Sequence, residues 1–170
     1  LDSSRTFVKE KCFLQSQLNR LAPFGIPVVV ALGNHDAGSA YVSGKHIYTF
    51  GSVVETIEVE TRNGERVAFS GFSYEVPVVA TRKVQEYPTK SVNCDIHIGV
   101  LHGELTTSEG RYAPFSIPEL REKGYDYWAL GHIHTCQEVS SQPCAWYSGT
   151  TQGADRKESG PKGALLGTLR

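Results

Sequence analysis

Six histidines occur in the 170 residues of this chain, and four of them fall in three short polar clusters: Gly33-Asn34-His35-Asp36, His102-Gly103-Glu104 and Gly131-His132-Ile133-His134. Imidazole nitrogens together with amide or carboxylate oxygens make a donor set suited to Mn2+, Fe or Zn2+. A histidine on its own reads first as a packed or surface residue. Asn34, His35, His102, His132 and His134, gathered in three clusters that each follow an apolar run, reverse that preference. His46 and His97 stand outside the clusters, and packing or a hydrogen bond within its own strand accounts for His97.

The spacing is informative too. In an extended segment His132 and His134 would point the same way, whereas in a tight turn they diverge and can reach two cations a few ångströms apart. The glycine in each cluster suits backbone that turns sharply and approaches an ion or phosphate with no Cβ in the way.

The elements that must position these clusters are strands. The β-branched run from Ile26 to Leu32 reads as a strand buried on both faces, and the runs 95–101 and 125–130 as two more, each ending at a cluster. In sheets flanked by helices, ligands bind outside the strand carboxyl ends, so neighbouring strands would bring the clusters together. Elsewhere, Asp2, Ser3 or Ser4 can cap a helix carrying Phe7, Leu14, Leu18 and Leu21 that ends near residues 22–25 and packs one face on a sheet. Residues 47–60 and 65–72 read as strands joined by an Asn63-Gly64 hairpin turn, the antiparallel part of the fold. Residues 78–86, between Pro77 and Pro88, suit a short helix or a strand, and 117–123 a helix. Short strands are expected at 135–139, 144–148 and 163–169, with a Gly/Lys/Asp-rich loop over 149–162. The pattern is that of an α/β chain of the mixed α+β kind.

Composition bounds the rest. With 39% apolar and 10% aromatic residues the chain can bury a core as one domain over residues 1–170, and a formal charge of −1 carries no overall nucleic-acid footprint. Cys12, Cys94, Cys136 and Cys144 have no zinc spacing and read as free thiols of a cytoplasmic protein, although neighbouring strands could pair Cys136 with Cys144. No membrane span or signal peptide is legible. The start at Leu1, without Met or a preceding strand, reads as the beginning of a fragment.

Gly-Asn-His-Asp, a strand-terminal His-Gly and Gly-His-x-His, in that order over residues 33–134, resemble the calcineurin-like metallophosphoesterases. The resemblance implies a two-sheet sandwich flanked by helices and two divalent cations, Mn2+ foremost with Fe or Zn2+ as alternatives. Asn34, His102 and His132 would bind the second metal and His134 the first. His35 would lie over the phosphate as a catalytic group rather than a ligand, with Asp36 orienting it, while a metal-activated water attacks in line. That family also carries an Asp-x-His and a Gly-Asp-x-x-Asp motif, neither complete here. Asp2, 31 residues before Gly33, sits where the second motif would have just ended. A domain truncated at its N-terminus is therefore expected, with Asp2 as a further metal candidate as well as a helix cap.

Tyr147-Ser148-Gly149-Thr150-Thr151-Gln152-Gly153, the segment Glu158-Ser159-Gly160-Pro161-Lys162-Gly163 with an apolar strand after it, and Tyr125-Asp126-Tyr127-Trp128-Ala129-Leu130 resemble the SbcD-type DNA-repair exonucleases within that superfamily. This implies DNA ends as substrate, an SMC-like ATPase partner and a homodimer. Arg156 and Lys157, with Lys162, are the candidates for meeting a phosphate backbone, and Arg111 and Tyr112 are weaker ones. Two other readings stand beside it: a phosphodiesterase or phosphatase acting on small nucleotides or phosphoproteins, and a non-catalytic interaction module that kept the fold.

Overall fold

Alternation of large apolar and small residues builds the central sheet. In the computed structural model, which describes residues 8–39, 42–153 and 156–169, six strands lie in one sheet and two in another. Those of the larger sheet are β3 (Glu55–Glu60), β4 (Arg66–Gly71), β5 (Ile96–His102), β6 (Tyr127–Gly131), β7 (Gln137–Ser141) and β8 (Cys144–Tyr147), in the order β3-β4-β5-β6-β8-β7. β4, β5, β6 and β8 run parallel, and β3 and β7 close the edges antiparallel. Every second residue of β5 and β6 is buried. Leu101, Trp128 and Leu130 from this face pack with Phe72, Tyr87, Phe115, Tyr125 and Tyr147.

Helix α2 (Ile117–Lys123) covers the core through fully buried Leu120. Its start is fixed by a capping box, in which the backbone and hydroxyl of Ser116 both donate to Glu119. Its end is fixed by Gly124 in the left-handed conformation. Helix α1 (Val8–Asn19) is shallower, with Leu14 and Leu18 half-buried and Phe13 66% exposed. The capping candidates Asp2, Ser3 and Ser4, and Phe7, lie outside the described residues.

The smaller sheet pairs β1 (Val28–Val30) in parallel with β2 (Ile47–Thr49). Hydrogen bonds tie it to the segment after β4: Tyr74 N donates to Leu32 O at 3.0 Å, and Leu32 N to Ser73 Oγ at 3.0 Å. The fold is thus mixed α/β, its sheets flanked by helices.

Four expectations are corrected. The 26–32 strand is shorter and only half-buried, because β1 has a two-stranded sheet rather than a sheet centre around it. The 47–60 run splits between the two sheets, turning at Gly51, whose N–H donates to Glu55 Oε1 at 2.6 Å. Residues 78–86 yield only a 3-10 turn at Lys83–Glu86, with Val79 bridged to Tyr112. No strand forms over 163–169: Leu166 is fully exposed, and the strand ladder has no place for the segment. Cys136 and Cys144 are free thiols, as expected. The hairpin through Gly64, at φ 83°, forms as expected.

Candidate functional site

Parallel pairing of β5 with β6 sets His102 opposite Gly131, so the clusters that end these strands meet at one sheet edge. The turn at Asn34–Asp36, four residues beyond β1, joins them there. Asn34 Oδ1 lies 2.8 Å from His102 Nε2, and the His102 and His132 rings meet edge to face with centroids 5.4 Å apart. His35, exposed in the same turn as Asn34, is near enough for its charge to act on both rings, as is His134. Asp36 is buried one residue further on.

The glycines do something other than admit an ion. A Cβ on Gly33 would collide with the His102 ring, coming within 2.6 Å of Nδ1, and one on Gly131 would stand 3.0 Å from the same nitrogen. Two bare backbones therefore form the slot that His102 occupies. His132 itself sits at φ 103°, a conformation that costs on the order of 1–3 kcal/mol for a residue with a side chain and persists where surrounding structure enforces it. Such strain concentrates at functional sites.

Tyrosines hold this edge in place. Tyr74 Oη donates to His102 O at 3.1 Å and Tyr147 Oη to Gly103 O at 2.7 Å. Burial pushes both phenols up, so they stay protonated donors. Tyr112 lays its ring against His132, with centroids 4.8 Å apart. Glu104 fixes Tyr112 there by accepting its backbone N–H at 2.9 Å and that of Arg111 as well. Sequence reasoning assigned Glu104 and Tyr74 no role; the signal available for Glu104 was its place directly after the His102 turn.

Electrostatics favours ligation by neutral imidazole. Burial, reinforced by His132, His35 and His134, holds His102 down at about 3, and burial also lowers His132, against the opposing carboxylate of Glu104. Both rings are therefore neutral near pH 7 and keep a lone pair, the form a metal requires. Among the described residues no three His, Cys, Asp and Glu side chains stand close enough to hold a metal by themselves. The donors that converge are Asn34, His102 and His132, an N/O set that fits a divalent cation but brings no negative charge of its own.

The other candidates fall in two groups. His134, half-exposed, places Nδ1 2.6 Å from Glu158 Oε1 and accepts Lys162 Nζ at its carbonyl, at 3.3 Å. Arg156 and Lys157 are exposed on the same loop, next to Glu158 in sequence. His46 and His97 stay outside the site: His97 is buried, 2.8 Å from Ser70 Oγ and stacked on Tyr125. Asp2 lies outside the described residues.

A family model described as calcineurin-like phosphoesterase matches residues 4–136. The chain is also 38% identical over 173 aligned residues to the uncharacterized metallophosphoesterase YhaO of Bacillus subtilis (strain 168). That alignment covers 97% of this chain and 42% of the relative, so the chain spans less than half of the relative's length.

Proposed function

The chain belongs to the calcineurin-like phosphoesterase family, whose members bind divalent metals and hydrolyse phosphoesters, and we propose that it is the metal-holding part of a DNA-processing phosphodiesterase of the SbcD type. The observation that carries the reading is the convergence of Asn34, His102 and His132 from three separate segments beside His35. Asn34 Oδ1 and imidazole nitrogens of His102 and His132 would hold one divalent ion, and His134 would serve a second. Such a pair of ions, Mn2+ in this proposal, supplies an activated water and neutralises phosphate charge. His35, exposed in the same turn as Asn34, stabilises the charge that grows on the phosphoryl oxygens or protonates the departing oxygen, and Asp36 orients it. Arg156 and Lys157 stand on the loop that touches His134, where cationic side chains meet a phosphate backbone. DNA ends as substrate, an SMC-like ATPase partner, a homodimeric full-length protein and a cytoplasmic setting complete the proposal.

The test uses the full-length protein with Mn2+ or with chelator. Linear duplex DNA is expected to be degraded from its ends only with metal, and closed circular DNA spared. His35→Ala should lower turnover by roughly 10²–10⁴-fold with metal content unchanged. His102→Ala should instead lose metal. Hydrolysis confined to phosphomonoesters or small nucleotides would move the substrate to those classes, and a protein with neither metal nor hydrolysis would be an interaction module. Metal lost from the His35→Ala variant would remove that residue from its catalytic role.

A further inference from the structure

Glu158 lies 24 positions from His134 in sequence, in a segment without regular structure, yet its Oε1 comes within 2.6 Å of His134 Nδ1. An ionised carboxylate only accepts, so Nδ1 must donate, and in the neutral form that a metal requires Nε2 is the lone-pair nitrogen. We propose that Glu158 is a positioning residue of the metal centre, fixing the tautomer and orientation of His134 so that its Nε2 is presented as a ligand. The inference rests on the metal-centre reading above and adds to it a residue outside the histidine clusters.

Four further features make the contact a built one. Lys162 Nζ donates to the carbonyl of His134 at 3.3 Å, gripping the same residue from the backbone side. Gly149 lies so close to the 134–136 turn that a Cβ there would stand 2.8 Å from Cys136 N and 3.1 Å from His134 O. The loop is closed at its base, where Gly163 N donates to Thr150 O at 3.2 Å, and Gly153 packs on Glu158 O, to which a Cβ would come within 2.8 Å. Residues 149–153 and 156–163 thus clasp the His134 turn at both of its sides. Magnitude decides what the clasp is for. His134 is 49% exposed, so water screens the contact and it adds little to the stability of the fold. The carboxylate therefore matters for the state of the imidazole rather than for holding the fold. Carboxylates that accept the second N–H of a ligating histidine set the tautomer and strengthen metal binding, and their loss weakens it by roughly 10–100-fold.

The experiment compares the full-length protein with its Glu158→Ala and Glu158→Gln variants, labelled with 15N-histidine. In metal-free protein at mildly alkaline pH, long-range 1H–15N correlations are expected to give His134 as the Nδ1–H tautomer. Glu158→Ala should shift it toward Nε2–H, while Glu158→Gln, whose amide oxygen still accepts, should keep the wild-type tautomer. Mn2+ titration should then give a dissociation constant roughly 10–100-fold weaker for Glu158→Ala, with Glu158→Gln in between. Wild-type tautomer or wild-type Mn2+ affinity in Glu158→Ala would overturn the role of Glu158 while leaving DNA hydrolysis by the wild-type protein to stand. Conversely, both shifts in Glu158→Ala, together with a wild-type protein that cleaves no phosphodiester, would sink the substrate reading and keep Glu158 in place.

Discussion

At the scale of single residues, the informative positions are those where one atom more would matter. Gly33 has extended backbone, φ −85° and ψ −177°, which alanine adopts without strain. Gly33→Ala therefore tests space alone, and the space is already filled by the His102 ring. The added methyl must push His102 away from Asn34, so metal affinity and hydrolysis are expected to fall at least about tenfold, with a stability loss of about 1–3 kcal/mol from overpacking. Gly167→Ala is the matched control, since nothing lies within 4 Å of its Cβ. Metal titration and thermal unfolding of the two variants decide the matter: equal behaviour would mean that His102 does not occupy the slot.

Elements show where sequence patterns carry structure and where they fall short. The helix over 117–123 was legible to the residue because both its ends are locally determined, by the Ser116 and Glu119 capping box and by Gly124. The Asn63-Gly64 hairpin was legible for the same reason. Strand ends at the histidine clusters were legible because apolar runs stop abruptly there, and this brought the candidate site into view. Residues 163–169 look like a strand by composition, but a strand exists only with a partner, and pairing is not written locally. The contact of Glu158 with His134 was hidden likewise, since it depends on how a long loop folds back. Gly99 of β5 shows another non-local determinant: its missing side chain is the space in which Trp128 of β6 lies, with a Cβ falling 2.7 Å from the indole Cδ2. Alanine has the better intrinsic fit to a strand interior, yet Gly99→Ala is expected to destabilise by about 1–3 kcal/mol, because Trp128 is fully buried and cannot move aside. Denaturant unfolding of that variant checks it, and a gain in stability would contradict the packing described.

The whole molecule carries buried groups whose ionisation is coupled to folding, and this sets its response to acid. His97 is 1% exposed, and burial, with a smaller push from Lys90, holds it down at about 4 from an ordinary 6.5. The unfolded chain therefore binds a proton that the folded one refuses across that interval. Stability from this group is complete above about pH 6.5 and is lost as pH falls toward 4, at a limiting slope of about 1.4 kcal/mol per pH unit for each proton. His102 and His132, also lowered, act in the same direction in metal-free protein. Glu119 follows further down: its hydrogen bond with Arg82 depresses it from 4.5 to about 2, so its contribution is present above 4.5 and disappears as pH falls to 2. Acidification should accordingly weaken the metal-free protein through the histidines first and, below about 4.5, through the Arg82–Glu119 pair as well. Thermal unfolding against pH in chelator measures this. His97→Gln should flatten the upper limb by up to one proton without touching the lower, and Glu119→Gln should do the reverse, whatever either substitution costs in absolute stability. An upper limb equally steep in His97→Gln would place that imidazole in water, contrary to its stacking on Tyr125 and its bond to Ser70.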